Sequence, residues 1–123
     1  MIIVDSCGWL EWFGDGELAD VYRQYLADQE SLLVPSIVLY EVYKVLKRDA
    51  GEEKALLAIA YMKNSHVIPL DETLALAAAD IALREHLAMA DAIIVATAQA
   101  NQCDIVTSDA DLKHQPCVRY FPK

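Results

Sequence analysis

Four carboxylates stand where a charged side chain needs an explanation. Asp5 ends the apolar run Ile2-Ile3-Val4, and Asp109 stands two residues past Thr107, where the run "DIVT" ends. Glu41 sits on the edge of a helical apolar stripe made by Val38, Leu39, Val42, Val45 and Leu46. Asp91 opens "ADAIIVATAQANQ" (90–102) and shares a helical face with Ile94, Val95 and Ala98. No other charge occurs from Ala92 to Cys103, and a lone carboxylate on such a face costs several kcal/mol unless something compensates it. If the four acids converge, their repulsion requires a proton or a cation among them. Oxygen donors without His or Cys nearby suit Mg²⁺ or Mn²⁺ rather than zinc. A hard cation held this way polarises a phosphoryl oxygen and lowers the pKa of a bound water, which is the chemistry of phosphodiester hydrolysis.

Each acid also has an ordinary explanation. Asp5 serves as a turn former, Asp91 as a first-turn acid favoured by the helix dipole, Asp109 as a helix cap, and Glu41 as a solvated helix residue. Independent caps, however, have no reason to gather at one end of one sheet. Whether they gather depends on the elements that carry them. Short apolar runs recur at 2–4, 32–35, 66–70, 104–107 and 118–121. They show little polar alternation, as strands covered on both faces do. Between them lie helical patterns. One runs from about Trp9 to Ala27, broken near "GDG" (14–16). The next begins after Pro35 with Ser36 as N-cap and stops at Gly51. Glu52 to Lys63 forms a helix with Leu56, Ile59 and Ala60 inward. Asp71 caps an Ala-rich helix whose stripe is Leu76, Ala79, Leu83 and Leu87, and residues 90–102 form a last helix that is apolar nearly all round. Strands alternating with helices predict one α/β domain over residues 1–123 with a mainly parallel sheet. Ligands of such sheets bind beyond the carboxyl ends of the strands, the rim to which Asp5 and Asp109 belong.

Composition narrows the class. The 123 residues carry a formal charge of −9, which argues against non-specific affinity for nucleic acid. It leaves room for chemistry on phosphates if cations sit between them and the carboxylates. No apolar run approaches the ~20 residues of a membrane span. "MIIVDS" lacks the basic start and cleavage site of a secretory leader. Cys7, Cys103 and Cys117 are odd in number and lack metal-ligand spacing; they read as thiols of a reducing cytoplasm. At 55% apolar residues, the chain has either a fully covered sheet or a surface that wants a partner.

The residues resemble the PIN-domain ribonucleases, and within them the VapC-type toxins of toxin–antitoxin pairs. "VDSCGWLEWF" looks like the family's opening motif, and "VPSIVLYEV" like its second, with a Ser or Thr five residues before the glutamate. "MADAIIVATA" is close to the third motif and "IVTSDADL" resembles the fourth, Thr-x-Asp followed by an apolar residue. The resemblance covers nearly the whole chain. It implies a three-layer α/β/α sandwich with a five-stranded sheet in the order 3-2-1-4-5. It also implies Asp5, Glu41, Asp91 and Asp109 as catalytic, metal-binding acids for Mg²⁺ or Mn²⁺, supported by Ser6 and Thr107. Asp111 matches an additional acid of some members, or is a solvated helix-start residue. Cys7 departs from the pattern, since a hydroxyl residue is commoner there. The resemblance further implies an RNA substrate, such as transfer RNA, a homodimer, and silencing by a small antitoxin.

Several residues keep two readings. Lys44 and Arg48 share a side of their helix with Glu41, with Lys47 further round; they either hold substrate phosphates or form a solvated face. Trp9, Trp12 and Phe13 form either a partner groove or a helix packed on the sheet edge. His66, His86 and His114 sit near no acidic motif and receive no catalytic role. Two other classes compete with a nuclease. One is a different Mg²⁺-dependent phosphate-handling domain, but a receiver needs adjacent acids after strand one. A haloacid-dehalogenase-like phosphatase needs Asp-x-Asp-x-Thr, where this chain has Cys7. The other is a non-catalytic PIN-like protein-binding module, which has no need of all four acids.

Overall fold

The computed structural model describes residues 1–123. Five strands, β1 (Ile2–Val4), β2 (Leu33–Pro35), β3 (His66–Ile68), β4 (Asp104–Thr107) and β5 (Val118–Tyr120), fall at the predicted runs. The six α-helices are α1 (Ser6–Phe13), α2 (Ala19–Leu26), α3 (Ser36–Ala50), α4 (Glu52–Met62), α5 (Glu72–Glu85) and α6 (Met89–Asn101). β1 pairs with β4, β4 with β5, and β2 with β3, all parallel. A single parallel bridge from Ile2 to Leu32 joins the two groups. The order is therefore 3-2-1-4-5, as expected. Right-handed crossovers put α1 to α4 on one face, and the reversal from β3 to β4 puts α5 and α6 on the other. The strand order reverses between β1 and β4, the place where open parallel sheets hold ligands.

Local chemistry sets the element ends. Asp71 accepts a hydrogen bond from the Leu74 amide at 2.9 Å and starts α5. Gly51 ends α3 at φ +98°, a conformation that suits a residue without Cβ. Gly8 answers to close packing instead. A methyl there would overlap the Tyr22 ring and lie 2.5 Å from Val4 Cγ1, so glycine lets α1 press onto α2 and β1. Residues Ala92 to Ala98 of α6 are all buried, as its apolar surface requires.

Four expectations need correction. The first helix begins at Ser6, not near Trp9, because the Asp5 carboxylate caps it. Ser36 is the first residue of α3 and not its cap; its hydroxyl accepts from the Leu70 amide at 3.0 Å and ties α3 to the end of β3. In α4 the inward residues are Ala55, Ala58 and Met62, while Leu56 and Ala60 face solvent. In α5 they are Leu74, Ala78 and Ile81. Leu76 and Leu83, 64% and 79% exposed, lie outside with Ala79, and Leu87 is half-buried. Alanines on every side of these helices leave the apolar period without a preferred face. Their small side chains then let the helices pack closely and turn the larger leucines outward.

Trp9 is fully buried, in line with a core role. Trp12 and Phe13 are half-buried and cluster with Tyr61, with ring centroids 5.2 Å and 6.4 Å from it. Phe13, Leu46, Ala50, Leu57 and Tyr61 line an apolar groove of about 440 Å³ between α1, α3 and α4. No helix is long and apolar enough to cross a membrane.

Candidate active site

The site is built where β1 and β4 end side by side. The Asp5 amide donates to the Val106 carbonyl at 3.0 Å and extends the β1–β4 pairing by one bond. Both Asp5 oxygens are oriented: Oδ1 accepts from the Ser6 amide at 2.8 Å, and Oδ2 from the Thr107 hydroxyl at 2.8 Å. Thr107 Oγ1 in turn accepts from the Asp109 amide at 2.9 Å. One buried hydroxyl thus couples the two strand-end acids, with its proton committed to Asp5. Asp109 Oδ1 accepts from the Asp111 amide at 2.9 Å and starts the 3₁₀ turn Ala110–Leu112. Asp5 and Asp109 are therefore caps and members of an acidic cluster at once; the two readings describe the same atoms.

Asp91, from the first turn of α6, faces this rim. One carboxylate oxygen each of Asp91, Asp109 and Asp111 lie within 4.8 Å of one another. Asp111, left with two readings by the sequence, belongs to the tightest group of acids while remaining exposed. Asp5 and Glu41 stand outside that group but within its field. Burial pushes the Asp5 carboxyl up, opposed by the Thr107 and Ser6 hydrogen bonds and aided by the charge of Asp109. Burial also raises the Glu41 carboxyl; the charges of Asp5 and Asp109 add to the rise, while the Ser6 side chain and Lys44 oppose it. Glu41 Oε1 is buried without a hydrogen-bond partner. The Asp91 carboxyl is pushed up to about 7, first by burial and then by Asp109, Asp5, Asp111 and Glu41.

These observations fit a divalent cation. Several carboxylates face one another, one is driven to hold a proton near neutrality, and a buried oxygen lacks a partner. All the donors are hard oxygens. The Cys7 thiol lies at the same node, 3.5 Å from Thr107 Oγ1 and 3.8 Å from Asp5 Oδ2, and accepts from the Ser108 amide at 3.4 Å. Burial, then the Asp5 charge, pushes the thiol up, so Cys7 packs and hydrogen-bonds as a neutral group. Ser108 also bonds the Tyr22 hydroxyl. No charge or motif marked that contact in the sequence.

The basic residues of α3 divide. Lys44 makes no ion pair and acts on the Glu41 carboxyl. Arg48 is held by its neighbour Asp49, Nε to Oδ1 at 2.7 Å. None of His66, His86 and His114 is in the cluster.

The parallel sheet, the switch point and the acidic rim define an α/β domain with a candidate cation site beyond its strand ends. The PIN domain family model matches residues 2–116, and the chain belongs to that family. Its fold is similar to that of a toxin–antitoxin complex from Klebsiella pneumoniae, with 20% identity, all of both chains covered and a TM-score of 0.84. It is also similar to Mycobacterium tuberculosis VapC20, a sarcin–ricin-loop-cleaving toxin, with 17% identity over 92% of each chain and a TM-score of 0.76. A third likeness is to VapBC2 from Rickettsia felis bound to a promoter DNA fragment, with 15% identity over 99% of this chain and 98% of that one, and a TM-score of 0.75. Among curated proteins the chain has no match.

The raised Asp91 carboxyl gives a pH prediction. An acid whose folded pKa exceeds its unfolded value contributes stability that is fully present below the unfolded pKa and is lost as pH rises through the folded one. For Asp91 that window runs from 3.8 to about 7. Without divalent ions, the thermal midpoint followed by circular dichroism should fall by several degrees between about pH 5 and pH 8, since 1 kcal/mol moves it roughly 2–8 °C in domains of this size. Asp91→Asn should show a smaller fall, the remainder coming from the raised Asp5 and Glu41 carboxyls, and should melt higher at the upper pH. An equal pH dependence in both proteins would contradict the proton assignment.

Proposed function

We propose that this chain is a divalent-metal-dependent endoribonuclease and the toxin of a toxin–antitoxin pair. The observation that carries the reading is the gathering of Asp5, Glu41, Asp91, Asp109 and Asp111 at the switch point of a PIN domain. In this reading Asp5, Asp91 and Asp109 hold Mg²⁺ or Mn²⁺, and Glu41 shares that duty or orients the attacking water. Asp111 adds negative charge from the exposed side. The bound cation supplies charge stabilisation at the scissile phosphate and a more acidic water. A cation held there would favour the ionised form of Asp91, whose carboxyl is otherwise pushed up to about 7 by burial and its acidic neighbours. Glu41 Oε1, buried and unpartnered, is available to accept a hydrogen bond from the water. Thr107 keeps Asp5 and Asp109 in register. A non-catalytic binding module would retain the electrostatic cost of the cluster without using it.

The partners follow the same reading. An RNA such as transfer RNA is the substrate. A small antitoxin silences the site by placing an arginine among the carboxylates, with an apolar anchor in the groove of Phe13, Leu46, Leu57 and Tyr61. A second copy of the chain covers the outer face of α5, where Leu76 and Leu83 are exposed beside an apolar hollow of about 390 Å³ that includes Leu70 and Met89.

RNA cleavage by the purified chain should require Mn²⁺ or Mg²⁺ and stop in chelator. Asp5→Asn and Asp91→Asn should abolish it while leaving a folded protein, and Thr107→Val should reduce it about 10–100-fold, as loss of a ligand-orienting group does. Full activity in chelator, or in either Asn variant, would contradict the mechanism. Light scattering should give a dimer for the chain and a monomer for Leu83→Glu, and the product of the adjacent reading frame should co-purify with it and inhibit it. A wild-type monomer, or a neighbour that neither binds nor inhibits, would remove the corresponding partner.

A further inference from the structure

The outer face of α3 carries a second feature beside the acidic rim, and it rests on the ribonuclease reading while extending it. Of the chain's ten Lys and Arg residues, Lys44, Lys47 and Arg48 fall within five positions of this helix. Two tyrosines alternate with them. At about 100° per residue, the order around the helix from the rim outward is Glu41, Arg48, Lys44, Tyr40, Lys47, Tyr43. The Lys44 ammonium lies 5.7 Å from the Tyr40 ring centroid and that of Lys47 lies 5.5 Å from the Tyr43 ring. These are two parallel Tyr–Lys pairs at i,i+4 spacing. Together with Arg48 they line an open groove of about 430 Å³. Tyr40 is 58% exposed, an unusual state for an aromatic side chain that no other part of the chain covers.

We propose that Tyr40 is a stacking platform for an unpaired nucleobase flanking the scissile phosphate, with Lys44, Lys47 and Arg48 as the rail for the adjoining phosphates. Three arguments support it. Charge complementarity comes first: in a chain of net charge −9, this is a cationic strip, and it abuts the acidic rim. Second, the cations are available. Lys44 has no ion pair and the exposed Lys47–Glu52 pair is long, at 3.5 Å; Arg48 is held by both oxygens of Asp49 but on the exposed surface, where a phosphate can exchange for that partner. Third, alternating aromatics and cations are what a single strand needs, because each base offers a π-face and each sugar a phosphate. No Leu, Ile, Val or Met lines this groove to anchor an apolar protein segment. A base inside a duplex cannot reach the ring, so α3 selects unpaired over paired RNA. Tyr40 would thereby determine which site on an RNA is presented to the carboxylates.

The test uses binding, so that it does not depend on cleavage. The Asp91→Asn chain is titrated into an unstructured RNA oligonucleotide carrying 2-aminopurine, and into the blunt duplex of the same sequence. The single strand should bind more tightly than the duplex, with the 2-aminopurine emission quenched on binding. Adding Tyr40→Ala should weaken binding about tenfold or more and abolish the quench, and Tyr40→Phe should restore both. Lys44→Gln should weaken binding, lower its salt dependence and retain the quench. Equal affinity for strand and duplex, or equal affinity and quench with and without the Tyr40 ring, would overturn the platform and assign the strip to another partner, such as an acidic protein segment. Cleavage by the wild-type chain is scored separately. Cleavage without a Tyr40 effect sinks the platform alone, whereas a Tyr40 effect without cleavage sinks the nuclease reading alone.

Discussion

Electrostatic repulsion among carboxylates at the ends of two adjacent strands is the constraint on which this structure turns. A chain that merely needed stability would not gather Asp5, Asp91, Asp109 and Asp111 at one rim, with Glu41 facing them. The fold opposes the repulsion in three ways. Thr107 donates to Asp5 and accepts from the Asp109 amide, which fixes the Asp5 side chain against the backbone that carries Asp109. Backbone amides of Ser6 and Asp111 hold one oxygen of each cap. The proton pushed onto Asp91 lowers the net charge of the group. A divalent cation would do the same work more completely, which is why stability and activity are expected to pull in opposite directions here.

The architecture serves this rim. The reversal of strand order between β1 and β4 opens the crevice, and the closely packed Gly8 lets α1 leave β1 at once. α6 is buried nearly all round, so Asp91 in its first turn is aimed with little freedom. α3 does double service. Its inner stripe, Val38 and Val42, packs in the core, while Glu41 points to the carboxylates and the Tyr–Lys pairs point outward. In the proposed reading this gives an acidic protein a local cationic approach to a phosphate chain without making it a general nucleic-acid binder.

Much of this was legible in the residues. Unbroken apolar runs ending on Asp5 and Thr107 identified central strands and their rim. The single charge in α6 identified Asp91 as needing a partner. The expected strand order is the observed one. Other features were hidden for physical reasons. The inward faces of α4 and α5 are not legible because alanine is apolar on every side and leaves the larger leucines to define a false stripe; Leu76 and Leu83 are outside. Asp111 was ambiguous because a residue two past Asp109 joins it only if the backbone turns there in a 3₁₀ conformation. The contact of Cys7 with Thr107 spans a hundred positions of chain and has no periodic signature. Tyr40 carries no motif or periodic signal, and only its exposure on α3 sets it apart.

The central claim is that these carboxylates form one cation site. Crystals grown or soaked with Mn²⁺ and measured for anomalous scattering test it directly. The account predicts a strong anomalous peak within coordination distance of Asp91 and Asp109, with Asp5 contributing and Thr107 still bonded to it. No peak at this rim under millimolar Mn²⁺, with the carboxylates left in place, would contradict it.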